Sequence, residues 1–335
     1  MKSHPFYWLL FIMVGTFSAK GVDADFYGVI KWQQFYQTNS SAPVIGSNGY
    51  TFQSFVYAST NYAVTNATVK PSNSTPLRTL VPEQNGSVLN FEEAFTTQAA
   101  LDTTYPAGTA FSQVNYSMVI QSVNDGTHSA NLSFFLLFLP VSYPTTPVIT
   151  NWPAAQSIDA TSDFTLLWAN LGGSTLAIVQ LLILDTASNA VFASPAPFQT
   201  GALNGASNQY TIPAMTLPSG TSLIGHLTIA NPGKPETNSY PGSVGVPALA
   251  KDTYFSMKTR PAPAAPVLNV RGATNGIMRV RLTGETNRVY HIEATASFQS
   301  VWTNVLTTNS VSGVVDYSEP FGPANRRFYR GRLGQ

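Results

Sequence analysis

The carboxylates are the first residues in this chain whose type and spacing could do chemistry. Glu92 and Glu93 are adjacent, and Asp159 and Asp163 stand four apart. A retaining glycosidase needs two carboxyls roughly 5 Å apart in a cleft. Successive residues of a strand point to opposite faces, so Glu92 and Glu93 cannot be that pair, and solvent-facing charges are expected instead. Of the four histidines, His128, His226 and His291 lie far apart, and only His291 has a carboxylate close by in sequence, Glu293. Zinc needs three or four converging ligands, so no metal site is assigned. Asn124-Asp125-Gly126 reads as a hairpin turn, because the further acidic ligands of a calcium loop are missing. With no cysteine there is no thiolate nucleophile, no Cys-based zinc site and no disulfide. The chain contains no G-x-S-x-G, H-E-x-x-H, GxxxxGK[ST] or G-x-G-x-x-G motif. No catalytic residue and no cofactor is therefore assigned, and the protein is read as non-enzymatic.

Aromatic residues are the other candidates, since exposed rings can stack on sugars. Tyr50, Phe52, Phe55 and Tyr57 cannot all face one side of a regular strand, which makes 50–57 a candidate contact surface. Trp168 ends the alternation Phe164, Leu166, Trp168 and is expected in a core, as is Trp302. Six N-x-S/T sequons (Asn39, Asn66, Asn73, Asn85, Asn115, Asn131) would matter only in a eukaryotic secretory pathway.

The elements that must carry these residues are strands. The 335 residues include 36 Thr, 32 Ser and 23 Asn, against only 33 charged side chains (17 basic, 16 acidic). Thr- and aromatic-rich, Lys- and Glu-poor composition favours strands over helices. With 44% hydrophobic residues the chain is not disordered. A net charge of +1 argues against nucleic acid as a partner. The charge is uneven, however. From Arg260 onward there are nine Arg and four carboxylates, which suggests a polar contact between modules or an anionic envelope partner.

Phe6–Val14 is an unbroken run of nine apolar residues behind Lys2, followed by Val22-Asp23-Ala24. That is the pattern of a secretory signal peptide over residues 1–24, with a mature start near Asp25. The run is far short of the roughly 20 residues of a membrane span, and no later stretch is long enough, so a chain exported to the cell envelope or beyond is expected.

Two proline-rich stretches, Pro140–Pro147 and Arg260–Pro266, read as spacers. They divide the chain into an N-terminal β-sandwich at 25–142, a second at 147–260 and a small C-terminal one at 267–335. In the middle piece, Phe164–Trp168, the Leu217-Pro218-Ser219-Gly220-Thr221 turn before the strand Ser222–Ala230, and the closing strand Thr253–Thr259 resemble a fibronectin type III-like or immunoglobulin-like domain. Leu223 stands where such domains usually carry an aromatic, and the loop 231–249 is long. Tyr105-Pro106-Ala107-Gly108-Thr109 echoes the Leu217–Thr221 turn, as a duplication would. In the third piece a hairpin is expected between Ile277–Leu282 and Val289–Ala294, with Arg279 and Arg281 opposite His291 and Glu293. Tyr290–Ala294, Trp302-Thr303, Gly313–Tyr317 and Arg327–Arg330, together with Asn151–Asp159 and Phe164–Trp168, resemble modules of exported verrucomicrobial and planctomycete proteins. That resemblance implies a β-rich envelope or extracellular protein and carries over no reaction.

The fold class expected is all-β, tandem immunoglobulin-like or fibronectin type III-like sandwiches. The role expected is structural, adhesive or binding at the cell surface, with polysaccharide or envelope components as partners. The rival is a carbohydrate-binding or carbohydrate-processing protein, which requires two carboxylates or two exposed aromatics converging in one concavity.

Overall fold

Strand β1 (Ala24–Gln37) organises the molecule. Its first ten residues are all buried, the pattern of a strand covered on both faces. It pairs antiparallel with β2 (Val44–Ala58) and parallel with β17 (Val244–Lys258), in register from Phe26↔Val244 to Gln37↔Phe255. A nine-stranded sheet grows from these three. Beyond β17 lie β16 (Ser222–Pro232), β12 (Ile178–Leu184) and then β13 (Ala190–Ala193) and β14 (Leu203–Asn204). Beyond β2 lie β6 (Val88–Phe95) and β5 (Val81–Glu83). The computed structural model describes residues 22–71, 76–109, 112–136, 139–172, 174–197, 199–320 and 327–334. The apolar run Phe6–Val14 and the sequon at Asn73 lie outside them.

Two smaller sheets pack on one face of the large one, here called the inner face. At the β2 end, β4 (Arg78–Thr79), β3 (Val64–Pro71), β7 (Asn115–Ser122) and β8 (Gly126–Ser133) form a four-stranded sheet. Tyr27, Phe52 and Val56 meet Val69, Tyr116 and Leu132 there, and helix α1 (Gln98–Thr104) adds Leu101. Phe52 lies flat on Tyr105, with ring centroids 3.8 Å apart. At the β12 end, β11 (Phe164–Leu167) pairs with β15 (Gln209–Ile212), and Leu166, Trp168 and Ile212 cover Leu181, Leu227 and Phe255. The short helix α2 (Trp152–Ala155) contributes Ala155 to the same cluster. The small pair β9 (Phe135–Leu136) and β10 (Leu139–Pro140) completes this part of the chain. Because successive side chains alternate, the other half of each strand of the large sheet points to its outer face.

The all-β sandwich class is thus found, but the chain divides into two compact units, 1–260 and 261–335, rather than three. The stretch at Pro140–Pro147 is no spacer. Val141 N donates to Phe134 O (2.8 Å), Asn231 Nδ2 to Ser142 O (2.9 Å), and Thr253 Oγ1 to Pro147 O (2.7 Å). The reason is the β1–β17 ladder: the N-terminal strand completes the sheet of the segment that follows this stretch.

The second unit has two three-stranded sheets. One is β18 (Val267–Thr274), β19 (Ile277–Thr283) and β22 (Val314–Pro320); the other is β21 (Thr303–Ser310), β20 (Arg288–Thr295) and β23 (Phe328–Leu333). Leu282, Tyr290, Ile292 and Val315 fill the space between. The expected hairpin is corrected here, since β19 pairs with β18 and β22 while β20 pairs with β21 and β23. Gly284 hands the chain from one sheet to the other: its amide bonds to Gly313 O (2.8 Å), and a Cβ there would sit 2.4 Å from the Tyr290 hydroxyl. Arg281 accordingly meets Asp316 through two bonds (2.6 and 2.7 Å), and Glu293 meets Arg330 (2.6 Å) and Arg332 (3.4 Å).

Candidate functional site

The inner-face clusters account for most of the apolar side chains, and the outer face of the large sheet carries the unusual ones. Its two zones follow directly from register. Below the level of Gln34, β1, β2 and β6 present Phe26, Ile30, Trp32, Phe55, Tyr57 and Val88. Ala230, Ala248 and Ala250 continue this apolar zone across β16 and β17. Above it the face turns polar. Gln180, Thr228, Asp252 and Gln34 lie side by side on β12, β16, β17 and β1. The next row is Leu182, His226, Tyr254 and Tyr36.

The polar zone is tightly connected. Thr228 Oγ1 donates to Asp252 Oδ1 (2.6 Å), and His226 Nε2 lies 3.3 Å from that same oxygen. His226 stacks on Tyr254 (4.4 Å, 9° between planes), and Tyr254 stacks on Tyr36 (5.4 Å, 22°). Burial, with the nearby charge of Asp252 and then the neighbouring Tyr36 and Glu92, pushes the Tyr254 hydroxyl well above its ordinary value, so it remains a protonated donor. A second chain of bonds crosses at the level of Trp32: Trp32 Nε1 to Gln53 Oε1 (3.1 Å), Gln53 Nε2 to Asn90 Oδ1 (2.9 Å), Asn90 Nδ2 to Glu83 Oε1 (3.5 Å). Gln180 differs from all of these. It is 1% exposed, and neither its amide nitrogen nor its oxygen has a partner.

At the β2–β6 end the face opens into a concavity of about 990 Å³. A break in the β1–β2 register between Gln33 and Phe35 lets Gly46–Gly49 loop outward as its lip. Gly46 is required there, since a Cβ would stand 2.9 Å from the Tyr36 ring. Gln34, Tyr36, Asn48, Thr51, Glu83 and Glu92 are among the lining residues, and Tyr36 is 46% exposed at the mouth. Glu92 also shares a small neighbouring depression with Asp252 and Tyr254.

The arrangement suits binding better than nucleophilic attack. A hydroxyl nucleophile must give its proton to a base that a third group orients. Here the Thr228 hydroxyl and the His226 ring converge on one carboxylate oxygen, so the imidazole does not stand between hydroxyl and acid.

The residues expected from sequence are distributed as follows. Glu92 faces the concavity, while Glu93 points to the opposite face and accepts from Arg78 (3.0 Å) and Tyr105 (2.7 Å). Asp159 caps its own turn through Thr161 N (3.0 Å) and Oγ1 (2.6 Å), and Asp163 accepts from Ala214 N (2.8 Å), so neither reaches this concavity. His128 stacks on Tyr240 (4.0 Å), and His291 bonds Thr307 (2.8 Å). Among the described residues no group of three metal-ligating side chains is brought together. Asn124-Asp125-Gly126 forms the β7–β8 hairpin, held by Asp23, whose carboxylate accepts from Asn124 N (2.5 Å) and Nδ2 (2.8 Å). The aromatics of 50–57 split between the faces, Phe52 inward and Phe55 and Tyr57 outward, and all three are buried. Trp168 is buried as expected; Trp302 is instead only partly buried, beneath the Arg330 guanidinium at 4.4 Å. Six arginines of the basic segment (Arg260, Arg281, Arg288, Arg327, Arg330, Arg332) each meet a carboxylate, which leaves less charge for an anionic partner. Tyr36, Gln180, His226, Thr228, Asp252 and Tyr254 were not foreseen as a group. Only the His226–Thr228 spacing in β16 hinted at a shared face, and their meeting depends on register across four strands.

No protein-family model matches this chain, and no curated protein matches it. Among solved structures it is similar to the chicken CNTN1 FN1–FN3 domains at 10% identity, over 90% of this chain and 93% of that one, with a TM-score of 0.24. A fragment of the ICAM-5 D1–D4 ectodomain is similar at 11% identity, over 91% and 74%, with a TM-score of 0.23.

Proposed function

We propose that this chain is an exported, non-enzymatic binding protein of the cell surface that holds a polysaccharide strand in the concavity of its large sheet. The observation that carries this reading is the half-exposed Tyr36 ring, stacked on Tyr254 at the mouth of a cleft lined by amide, hydroxyl and carboxylate side chains. Aromatic platforms with a few converging polar groups are the usual chemistry of a site for an uncharged polyol. The leader-like residues 1–24 and the resemblance to exported bacterial proteins support the compartment. Affinity electrophoresis against a panel of neutral polysaccharides tests it. Tyr36→Ala should weaken retention at least about tenfold, roughly 1.4 kcal/mol, and leave the melting temperature unchanged. Retention of no polysaccharide, or equal retention by the variant, overturns the reading. Glu83 and Glu92 line one cleft, which gives hydrolysis a second reading. Release of reducing ends that disappears in Glu92→Gln would establish it in place of simple binding.

A further inference from the structure

The second unit holds the charge asymmetry that the cleft of the large sheet does not use. Residues 261–335 contain eight arginines, no lysine and four carboxylates. Arg281 meets Asp316, Arg288 meets Glu285 and Arg327 meets Glu319, one acid to each. Glu293 differs, because Arg330 and Arg332 share it. It is the single carboxylate on β20, β21 and β23, so one of the two guanidinium charges stays uncompensated.

Alternation along the strands explains how this pair is displayed. Tyr290, Ile292 and Leu333 point into the core, while Glu293, Arg330 and Arg332 share the other face, with Glu293 opposite Arg330 and His291 opposite Arg332. Glu293 is 7% exposed, whereas the two arginine side chains are 50% and 56% exposed. Both engage Glu293 through Nε, at 2.6 and 3.4 Å, and among the described residues their terminal Nη groups make no hydrogen bond. A buried carboxylate thus holds two guanidinium groups side by side and leaves their outer donors to solvent. The same face ends in aromatic rings. Trp302 lies beneath the Arg330 guanidinium at 4.4 Å, and Phe298, in the turn between β20 and β21, stands 6.4 Å from Trp302 and 4.0 Å from Phe328. Phe298 is 70% exposed, and a large ring left in water beside two others forms the kind of patch that marks a contact surface. From Phe328 to Arg332 the face runs about 13 Å along the strand.

We propose that this face of the second unit is a further binding surface, and that it takes a polysaccharide bearing carboxylates. The rings pack on the apolar faces of the sugars, and the Arg330–Arg332 pair grips a uronate carboxylate. A planar guanidinium matches a planar carboxylate through two parallel N–H···O bonds, which a neutral sugar cannot return. Nucleic acid fits less well, since its affinity comes from neutralising several phosphates and this face offers one uncompensated charge. The assignment goes beyond the neutral-polysaccharide cleft and does not rest on it.

Affinity electrophoresis of the full chain through gels containing polygalacturonate tests it. The wild-type chain should be retarded, and Arg332→Gln and Phe298→Ala should each weaken retention at least about tenfold with an unchanged melting temperature. Arg330→Lys keeps the charge, loses the planar fork and should weaken retention as well. Arg271→Gln removes the same charge from β18 and should bind as the wild-type chain does. Tyr36→Ala should also leave this retention intact, so failure of the cleft reading is distinguishable from failure of this one. No retention of the wild-type chain, equal retention of Arg332→Gln and Phe298→Ala, or an equal loss in Arg271→Gln overturns the proposal. Stronger retention by single-stranded DNA that disappears in Arg332→Gln and Phe298→Ala overturns it in favour of nucleic acid.

Discussion

Two tryptophans with similar sequence surroundings have opposite roles. Trp168 follows Phe164 and Leu166 on one face, and its indole nitrogen donates to Ser207 O (2.8 Å) inside the second inner-face cluster. Trp168→Ala should cost about 3–5 kcal/mol, read as a shift of the denaturant midpoint. Trp302 has no such alternation. Val301 beside it is 87% exposed, and the ring lies under Arg330. Trp302→Ala should cost only about 0.5–1 kcal/mol, the scale of an exposed cation–π contact. If the two values were equal, both placements would be wrong. Asp23 makes a third residue-scale case. Burial pushes its carboxyl up, but the bonds from Asn124 and Asp125 outweigh this and hold it below the usual carboxylate range. A depressed folded value means the stabilisation is complete above the unfolded pKa near 4 and is lost as pH falls through the folded value. Asp23→Asn should therefore narrow the gap in stability between pH 6 and pH 3, measured by urea unfolding at both.

At the scale of elements, β1 is the strand on which the rest depends, and it also carries a wholly buried amine. Lys31 is wholly buried on the inner face and pairs with Asp102 of α1. Burial pulls the amine's pKa down, and the Asp102 contact works against that pull. Removing one member of a buried pair leaves an uncompensated charge, at about 3–5 kcal/mol. Asp102→Ala should show that loss in equilibrium unfolding, and the double variant Lys31→Met with Asp102→Leu should recover most of it; no recovery would mean that the pair is not coupled. The strands themselves were legible wherever apolar and polar residues alternate, as in Phe164–Trp168, or where a run is apolar throughout, as in Ile178–Leu184. What could not be read was partnership. β1 joins β17 across more than 200 residues, and β19 and β20 look like a hairpin in sequence but belong to different sheets. Nothing local encodes such pairings, and the polar row inherits that illegibility, since Gln180, Thr228, Asp252 and Gln34 come from four strands distant in sequence.

At the scale of the whole molecule, the two proline-rich stretches separate what composition made equivalent. Residues 141–147 are tied down by Phe134, Asn231 and Thr253, and Tyr143 packs against the inner-face core. Ala264 and Ala265, in contrast, are exposed on the stretch that begins the second unit. Proteolysis requires a segment that can leave its surroundings and enter a protease, so hydrogen-bonded and packed backbone resists it. Trypsin is unsuited here, because Arg260 is followed by proline. Elastase should instead cut at Ala264–Ala265 and release two stable fragments, with the 140–147 stretch intact. Under the export proposed above, mass spectrometry of the larger fragment also reports where the mature chain starts. Cleavage at the expected Asp25 would discard Asp23, which caps the β7–β8 hairpin, and Ala24, which is fully buried in β1. Ala19-Lys20-Gly21 places small residues at the two positions a signal peptidase requires and leaves Asp23 in place. The mature fragment should therefore begin at Val22. A fragment beginning at Asp25 that is as stable as one beginning at Val22 would show that the Asp23 cap contributes nothing, and a cut within 140–147 would restore the three-module division.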